Sequence, residues 1–543
     1  MEKKKKKLKK AVLLLFPLLI IYYISSAYFV DAVFYYNSSK SFMTYIVYGI
    51  IILTALFIVI FTVRGFKCIK KNKTKSYVWY FLFLILFIAV EIFITVNINK
   101  ISSSLSKITS NEAGYSSSII VLSDSSYESI NDVKDDDAKI GIISDEDNQE
   151  GYILPMQIVE DENIDEDNLV SYNEYVDMLN DLYDGEIDAM FVSSSYVSLF
   201  ASYEGYENIA DETKVIYEKT QEAKKTTSTT GKTLDEPFTI LLMGVDSNTN
   251  SLAKSNSFNG DTLMLITFNP HTMNATVLSI PRDTRVPIVC TRSKAKNKIN
   301  SAALYGADCV MDTITNFTGI EIDYWVKVNF QGVISLVDAL GGIDVDIPYA
   351  FCESDSKRRF GKNTIYLEKG YQTLNGEQTL AFARNRHTWP QYCGRKYSNY
   401  NSNDFVRGQN QQQIVKAIVN KLKGIDSLSE IYDILDILGD NVDTNIDKET
   451  MITGFDTFKN IIFNSRNITS DDFIGTQRLY LSGYDHTISG IYYFEYYKQS
   501  LNEIVDAMEI NLELKEPEMD KEFSFSINNP YEDTQIGKGT YSY

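Results

Sequence analysis

Three apolar runs in the first hundred residues limit what this chain can become more than any other feature. AVLLLFPLLIIYYISSAYFV (11–30) carries no charge before Asp31, SFMTYIVYGIIILTALFIVIFTV (41–63) carries none, and SYVWYFLFLILFIAVEIFITV (76–96) carries only Glu91. Each is close to the roughly 20 residues that cross a hydrocarbon core. Three membrane helices are expected, over about 11–34, 42–63 and 76–97, after a tail at 1–10. A cleaved signal peptide would also begin basic and turn apolar, but the first run is too long and no small-residue cleavage pattern follows it.

The distribution of charge sets the orientation. The first hundred residues hold 15 Lys and Arg against 3 Asp and Glu, whereas the other 443 hold 37 against 69. Basic residues gather in MEKKKKKLKK and in the connector RGFKCIKKNKTK (64–75), so both are expected in the cytoplasm and everything after about residue 98 outside it. A multi-pass membrane protein with a large extracellular part is the resulting expectation. Glu91 lies in the outer half of the last run, where an interfacial position is expected. Cys290, Cys309, Cys352 and Cys393 fall in the outer part, an even number in an oxidising place. Of their three possible pairings, Cys290 with Cys309 and Cys352 with Cys393 keep each loop local, and free buried thiols are the alternative.

The outer part reads as two α/β domains. A Ser-rich stretch at 98–116 has the composition of a linker. SIIVLS, AKIGIIS and EIDAMFVSS then read as strands and YVDMLNDLYDG as a helix ending at Gly185, which gives a small accessory domain over 117–218. Its acidic runs DEDNQEG and VEDENIDEDN read as solvated loops, since no ligand spacing recurs in them. A Thr- and Lys-rich linker at 219–236 leads to a larger domain at 237–513 and a polar tail at 514–543.

In the larger domain, charged groups stand at the ends of apolar elements. FTILLMGVDS places Asp246 on the turn after a strand, and NGDTLMLITFN starts a strand with Asp261. Ligands bind open α/β sheets just beyond strand ends, so the two carboxylates can face one crevice. Two Asp oxygens with water and a phosphate suit Mg²⁺, although aspartates that merely form turns are the commoner case. TVLSIPRDT puts Arg282 at a strand end; TLAFARNRH puts Arg384 and Arg386 two apart, on one face if a strand continues through them. NDFVRGQNQQQIVKAIVNKL reads as a helix with Asp404 at its N-cap and Arg407 and Gln411 one turn apart. Arginines gathered in an acidic ectodomain suit phosphate oxygens through their planar forks, or else form structural ion pairs. The three histidines, His271, His387 and His486, sit in no nucleophile or zinc pattern, and no phosphate-binding loop of the GxxxxGK[ST] or GxGxxG type is present.

LLMGVDS, GDTLMLITFNP, VLSIPRDTRV, KINSAALYGADC, GIEIDYWVKVNFQGVISLVDALGGIDVDIP, GYQTLNGEQTLAFARNRH and DFVRGQNQQQIV follow one another in an order and spacing that resemble the LytR-CpsA-Psr family of cell-envelope proteins. The three membrane runs and the preceding small domain resemble its capsule-associated branch. The resemblance implies an α/β catalytic domain with a central mixed sheet flanked by helices. It implies a phosphotransferase that moves teichoic acid or capsular polysaccharide from an undecaprenyl-pyrophosphate carrier onto peptidoglycan, with Asp246 and Asp261 holding Mg²⁺ (or Mn²⁺). Arg282, Arg384, Arg386, Arg407 and Gln411 would hold the pyrophosphate, with Arg282, Arg384, Arg386 and Asp246 at the chemistry, and an apolar tunnel between sheet and helices would take the polyprenyl chain. Where the family carries Arg two residues before the second aspartate, this chain has Asn259, so that contact is missing or supplied by Lys298 or Arg292. Asp283 is expected to anchor Arg282 rather than act as a base. A polyprenyl-lipid-binding regulator without catalysis and a lipid-linked polymer pyrophosphatase are the alternatives. A nucleic-acid partner is excluded, because ten cytoplasmic residues form no recognition fold; no sequence signal sets an oligomeric state.

Overall fold

The structure is a computed structural model and describes residues 2–516 apart from 37–42, 72–73, 111–113, 201–205, 207, 223–233, 246–257, 259, 399–402, 423–427, 448–449, 452–453, 455–473 and 489–490. It divides into two compact units, Met1–Ser106 with Lys448–Phe455 and Lys107–Asp447 with Asp456–Tyr543.

The first unit is built on three helices, α1 (Glu2–Tyr36), α2 (Met43–Lys71) and α3 (Thr74–Ser110). Two of them contain stretches long and apolar enough to cross a membrane, Phe16–Val33 and Phe81–Lys100. The apolar stretch within α2 among the described residues is Ile51–Arg64, shorter than a span needs. The expectation of three spans is therefore met in part, by two. Glu91 is buried between helices, and its carboxylate accepts hydrogen bonds from Ser25 (2.6 Å) and Ser26 (2.8 Å) of α1. A carboxylate inside an apolar bundle requires such partners. The helix α3 also runs on through Ser110, across most of the stretch whose composition suggested a linker.

The accessory module comprises β1 (Gly114–Leu122), β2 (Ile140–Ile143), β3 (Leu169–Tyr172), β4 (Ala189–Ser193) and β5 (Thr213–Glu222) in the order β3-β2-β4-β1-β5. Two helices, α4 (Leu154–Glu162) and α5 (Tyr175–Asp184), accompany the sheet, and α5 ends where Gly185 adopts φ 74°, the left-handed conformation that glycine takes without strain. The sheet buries apolar clusters on both faces, Ile120, Met178 and Phe200 on one and Ile119, Ile158 and Phe191 on the other. Within DEDNQEG, Asn148 and Glu150 are buried, not solvated as expected, because the loop turns inward and Glu150 accepts a hydrogen bond from the Ser116 amide at 2.9 Å.

The larger domain is centred on a mixed six-stranded sheet of β6 (Phe238–Val245), β7 (Gly260–Asn269), β8 (Asn274–Ile280), β11 (Tyr324–Asn329), β16 (Val442–Thr444) and β17 (Gly475–Tyr480), ordered β16-β11-β6-β7-β8-β17. The strands follow the apolar runs that predicted them. Between β8 and β11 lie a small hairpin of β9 (Arg285–Pro287) with β10 (Lys296–Lys298) and the helix α6 (Ala307–Thr318). Next come α7 (Phe330–Ala339), β12 (Ile343–Ile347), β13 (Phe351–Glu353), β14 (Ile365–Leu367), β15 (Gly370–Leu374), α8 (Gly376–Arg384), α9 (Asp404–Leu422) and α10 (Leu428–Asn441). A second hairpin, β18 (Gly483–Ile488) with β19 (Ile491–Tyr496), precedes α11 (Lys498–Asn511).

One sheet face, with Leu241, Met243, Leu265, Leu278 and Trp325, packs tightly with α6 and α11. The opposite face is different. Val337, Phe382 and Ile414 of α7, α8 and α9 form a core with β12, β14 and β15 that includes no residue of β6, β7 or β11 among the described residues. Ile240, Leu242, Ile266, Val326 and Val328 on that face stay only half-buried, although they lie in interior strands. Apolar side chains there have surface left to bury.

Candidate functional site

The strand ends of the large sheet bring the charged segments together. β8 ends in the turn of SIPRDT, closed by the Thr284 amide and hydroxyl donating to the Pro281 carbonyl at 3.0 and 2.6 Å. This turn holds Arg282 and Asp283 in buried positions, 7% and 6% exposed. The helix α9 crosses β8 closely: a side chain at Gly408 would meet Ser279 at 3.0 Å, and the Gln412 amide donates to Ser279 Oγ (3.0 Å) and to the carbonyls of Val277 and Leu479 (both 3.3 Å). That approach delivers Asp404, Arg407 and Gln411 to the strand ends. Asn403, not Asp404, caps the helix, its side chain accepting from the Val406 amide at 3.0 Å. Asp404 is thereby free of the capping role and serves as a hub: Arg407 lies 3.3 Å from its carboxylate, and Arg282 and Arg386 each 3.8 Å. Burial works to raise the Asp404 carboxyl, but Arg407, Arg282 and Arg386 hold it below the usual range.

TLAFARNRH is not a strand. Residues 376–384 form α8, started by the capping box of Asn375 and Gln378, and Asn385 turns the chain outward after it. The expected face-sharing of Arg384 and Arg386 therefore fails, and the two arginines diverge. Arg386 joins the Asp404 hub, whereas Arg384 turns to the loop after β13, donating to the carbonyls of Ser354 (2.8 Å) and Asp355 (2.9 Å) and standing 5.4 Å over the Phe330 ring. Its Nε and Nη1 are buried with no hydrogen-bond partner. Unsatisfied guanidinium donors of this kind are costly unless a ligand meets them.

Two residues whose part in the site no sequence pattern marked complete the arrangement. Asp404, read only as a helix cap, is one. Arg358 is the other: its amide donates to the Asp355 carbonyl that also receives Arg384, both at 2.9 Å. It is reachable by solvent, yet surrounding protein and the Arg384 and Arg386 charges push its guanidinium down to about 10. The disulfide Cys352–Cys393 joins this loop to the segment after Arg386, and Cys290–Cys309 also forms, as the local pairing predicted. The imidazole of His387 is pushed down by burial and by Arg386, so it is neutral at pH 7.

Lys298 contacts Asp283 at 2.7 Å, closer than Arg282 does at 3.7 Å, so Asp283 anchors both cations and Lys298 more tightly. Gln411 donates to Thr262 Oγ1 (2.8 Å) and to the Ala383 carbonyl (3.1 Å), tying α9 to β7 and α8. Arg292 is exposed and faces Glu146 of the accessory module at 3.6 Å, away from the hub. Asp246 and Asn259 lie outside the described residues, and only the backbone of Asp261 is described. That backbone is informative. Gly244 pairs with Thr262 and Val245 with Gly260, so Asp261 is the extra residue of a β-bulge beside the position where Asp246 follows Val245. Bulges re-aim side chains and recur next to active sites.

Comparison with known proteins gives two family matches. The LytR_cpsA_psr family matches residues 203–510, and a family described as ABC transporter, phosphonate, periplasmic substrate-binding protein matches residues 102–242. The polyisoprenyl-teichoic acid–peptidoglycan teichoic acid transferase TagV of Bacillus subtilis (strain 168) is 36% identical over 216 residues, 39% of this chain. Those residues span half the length of TagV, 50%. TagU, of the same name and organism, is 31% identical over 299 residues, 55% of this chain and 85% of TagU. The crystal structure of B. subtilis TagV aligns with 51% of this chain and 98% of its own at 29% identity, with a TM-score of 0.41.

Proposed function

The chain belongs to the LytR-CpsA-Psr family, and on that premise we propose that it is a membrane-anchored phosphotransferase. Its reaction moves a glycopolymer, teichoic acid or capsular polysaccharide, from an undecaprenyl-pyrophosphate carrier to peptidoglycan. The observation that carries this reading is the convergence of Arg282, Arg386 and Arg407 on Asp404, linked through Arg358, which feels both Arg386 and Arg384, to the unsatisfied donors of Arg384. Such a cluster suits the several negative oxygens of a pyrophosphate, which would take over from Asp404 as the arginines' partner. The names of TagV and TagU support teichoic acid as the polymer; the module ahead of the catalytic domain supports the capsule-associated branch.

An acceptor hydroxyl attacks the sugar-side phosphorus and gives up its proton to the leaving phosphate or to water, the bridging P–O bond to the carrier phosphate breaks, and undecaprenyl monophosphate leaves with that electron pair. The arginines neutralise the developing charge and fix the phosphates in line, which is most of what phosphoryl transfer asks of a protein. Arg358 adds a further guanidinium on the side of Arg384. A bound Mg²⁺ (or Mn²⁺) would supply additional charge neutralisation, and Asp246 and Asp261 would hold it, since two carboxylates suit a hard cation that keeps its waters. The half-buried face of Ile240, Leu242, Ile266, Val326 and Val328 supports a place for the polyprenyl chain under α7, α8 and α9. Three spans with the large domain outside the cell remain part of the proposal, supported by the basic tail and connector.

The test uses the full chain with lipid-pyrophosphate-linked polymer, peptidoglycan fragments and Mg²⁺. Transfer is expected, with dependence on the cation, and Arg384→Ala is expected to abolish it while circular dichroism stays unchanged. Lipid binding without turnover would instead support a regulator, and release of polymer without an acceptor would support a pyrophosphatase.

A further inference from the structure

The accessory module presents the carboxyl ends of its parallel strands β2, β3 and β4 to the catalytic domain. Sheets of this type receive ligands at that edge. Here the edge is filled by the chain itself. Leu304 packs into the module's apolar cluster of Tyr175, Met178 and Tyr196, while the Tyr305 ring packs on the core of the large sheet and its phenol lies beside Asn148, Asp145 and Glu174 of the module. Burial, with the Asp145 and Glu174 carboxylates, pushes the Tyr305 phenol well up, so it stays neutral. The same edge reaches Asn297, whose amide donates to Glu174 at 3.3 Å.

Leu304 and Tyr305 end a short 3₁₀ helix, Ile299–Tyr305, whose other end is bonded to the arginine turn. The Asn300 amide donates to the Arg282 carbonyl at 3.2 Å and the Ile299 amide to the Thr284 carbonyl at 2.8 Å. Lys298 holds Asp283 at 2.7 Å, and Ser301 Oγ donates to the Lys298 carbonyl, also at 2.7 Å. One segment, residues 297–305, thus meets the module at Asn297 and at Leu304 and Tyr305, and is bonded to SIPRDT through residues 298–300.

We propose that the accessory module is a positioning device for Arg282: it takes Leu304 and Tyr305 where a small ligand would sit, and through residues 297–305 sets the turn that presents Arg282 to the donor pyrophosphate. This rests on the reading of Arg282 as a donor ligand. Leu304, Tyr305, Asn297 and Glu174 are positioning residues, since none of them reaches the arginine cluster directly.

The experiment compares the full chain with the double variant Leu304→Ala/Tyr305→Ala, with Tyr305→Phe, and with the surface variant Glu174→Ala. Three quantities are read: hydrogen exchange over 296–305, affinity for undecaprenyl pyrophosphate in detergent micelles, and kcat and KM for transfer. In the double variant, exchange over 296–305 is expected to rise, affinity to fall on the order of tenfold and KM to rise alike, with kcat at saturating donor close to wild type. Tyr305→Phe, which keeps the ring, recovers most of the affinity, and Glu174→Ala shifts it in the same direction by less. Faster exchange with unchanged affinity would overturn the coupling, and unchanged exchange would overturn the grip. A wild-type chain that fails to bind the lipid would overturn the donor-site reading itself, and this inference with it.

Discussion

Arg407, Arg282 and Arg386 approach Asp404 at 3.3, 3.8 and 3.8 Å, and this carboxylate keeps the like charges together. Because its folded value lies below the ordinary one, its contribution to stability is complete above the unfolded value of about 3.9 and is lost as the pH falls through the folded value. Asp404→Asn is therefore expected to lower the melting temperature clearly at pH 7 and by progressively less as the pH is taken below about 3.9, as thermal unfolding over a pH series would measure. Arg358 is the second residue-scale case. Its removal in Arg358→Ala is expected to weaken donor binding roughly 10- to 100-fold, the scale of a charge-assisted hydrogen bond, with the melting temperature little changed; equal affinity by lipid titration would remove it from the site. Arg282, Arg384, Arg386, Arg407 and Gln411 could be picked out in sequence because each sits at the end of an apolar element. Asp404 and Arg358 could not. Their roles depend on which distant guanidiniums meet them, and no local pattern records that.

At the scale of elements, period and capping signals decided what was legible. The strands β6, β7, β8 and β11 and the helix α9 follow from their apolar patterns, whereas α8 looked like a strand because TLAFAR alternates over a few residues. The capping box Asn375–Gln378 was the available sign of a helix. Long-range pairing was invisible in the sequence in another place. Lys327 of β11 and Asp443 of β16, neighbours in register, form a buried ion pair at 3.0 Å, with Lys327 also near the rings of Phe258 and Trp325. Breaking such a pair from one side leaves a buried charge, so Asp443→Ala is expected to cost about 3–5 kcal/mol of stability. Urea unfolding measures it, and a cost below about 1 kcal/mol, the scale of an exposed pair, would mean that water reaches Lys327.

At the scale of the whole molecule, the order of parts was readable: apolar runs and basic flanks for the anchor, a small α/β module, then the large mixed sheet with helices. What the sequence did not disclose was the burial of Asn148 and Glu150 and the insertion of Leu304 and Tyr305, which make the module and the catalytic domain share one segment. Composition reported only an acidic loop there, since burial of a carboxylate depends on partners elsewhere in the fold. Phosphoryl transfer at the arginine cluster is tested most directly by the lipid set free. With lipid-linked polymer, peptidoglycan and the full chain, mass spectrometry of the released carrier is expected to find undecaprenyl monophosphate, with one phosphorus retained in a phosphodiester on the peptidoglycan. Release of undecaprenyl pyrophosphate, with the polymer joined through its sugar carbon and no phosphorus retained, would contradict it.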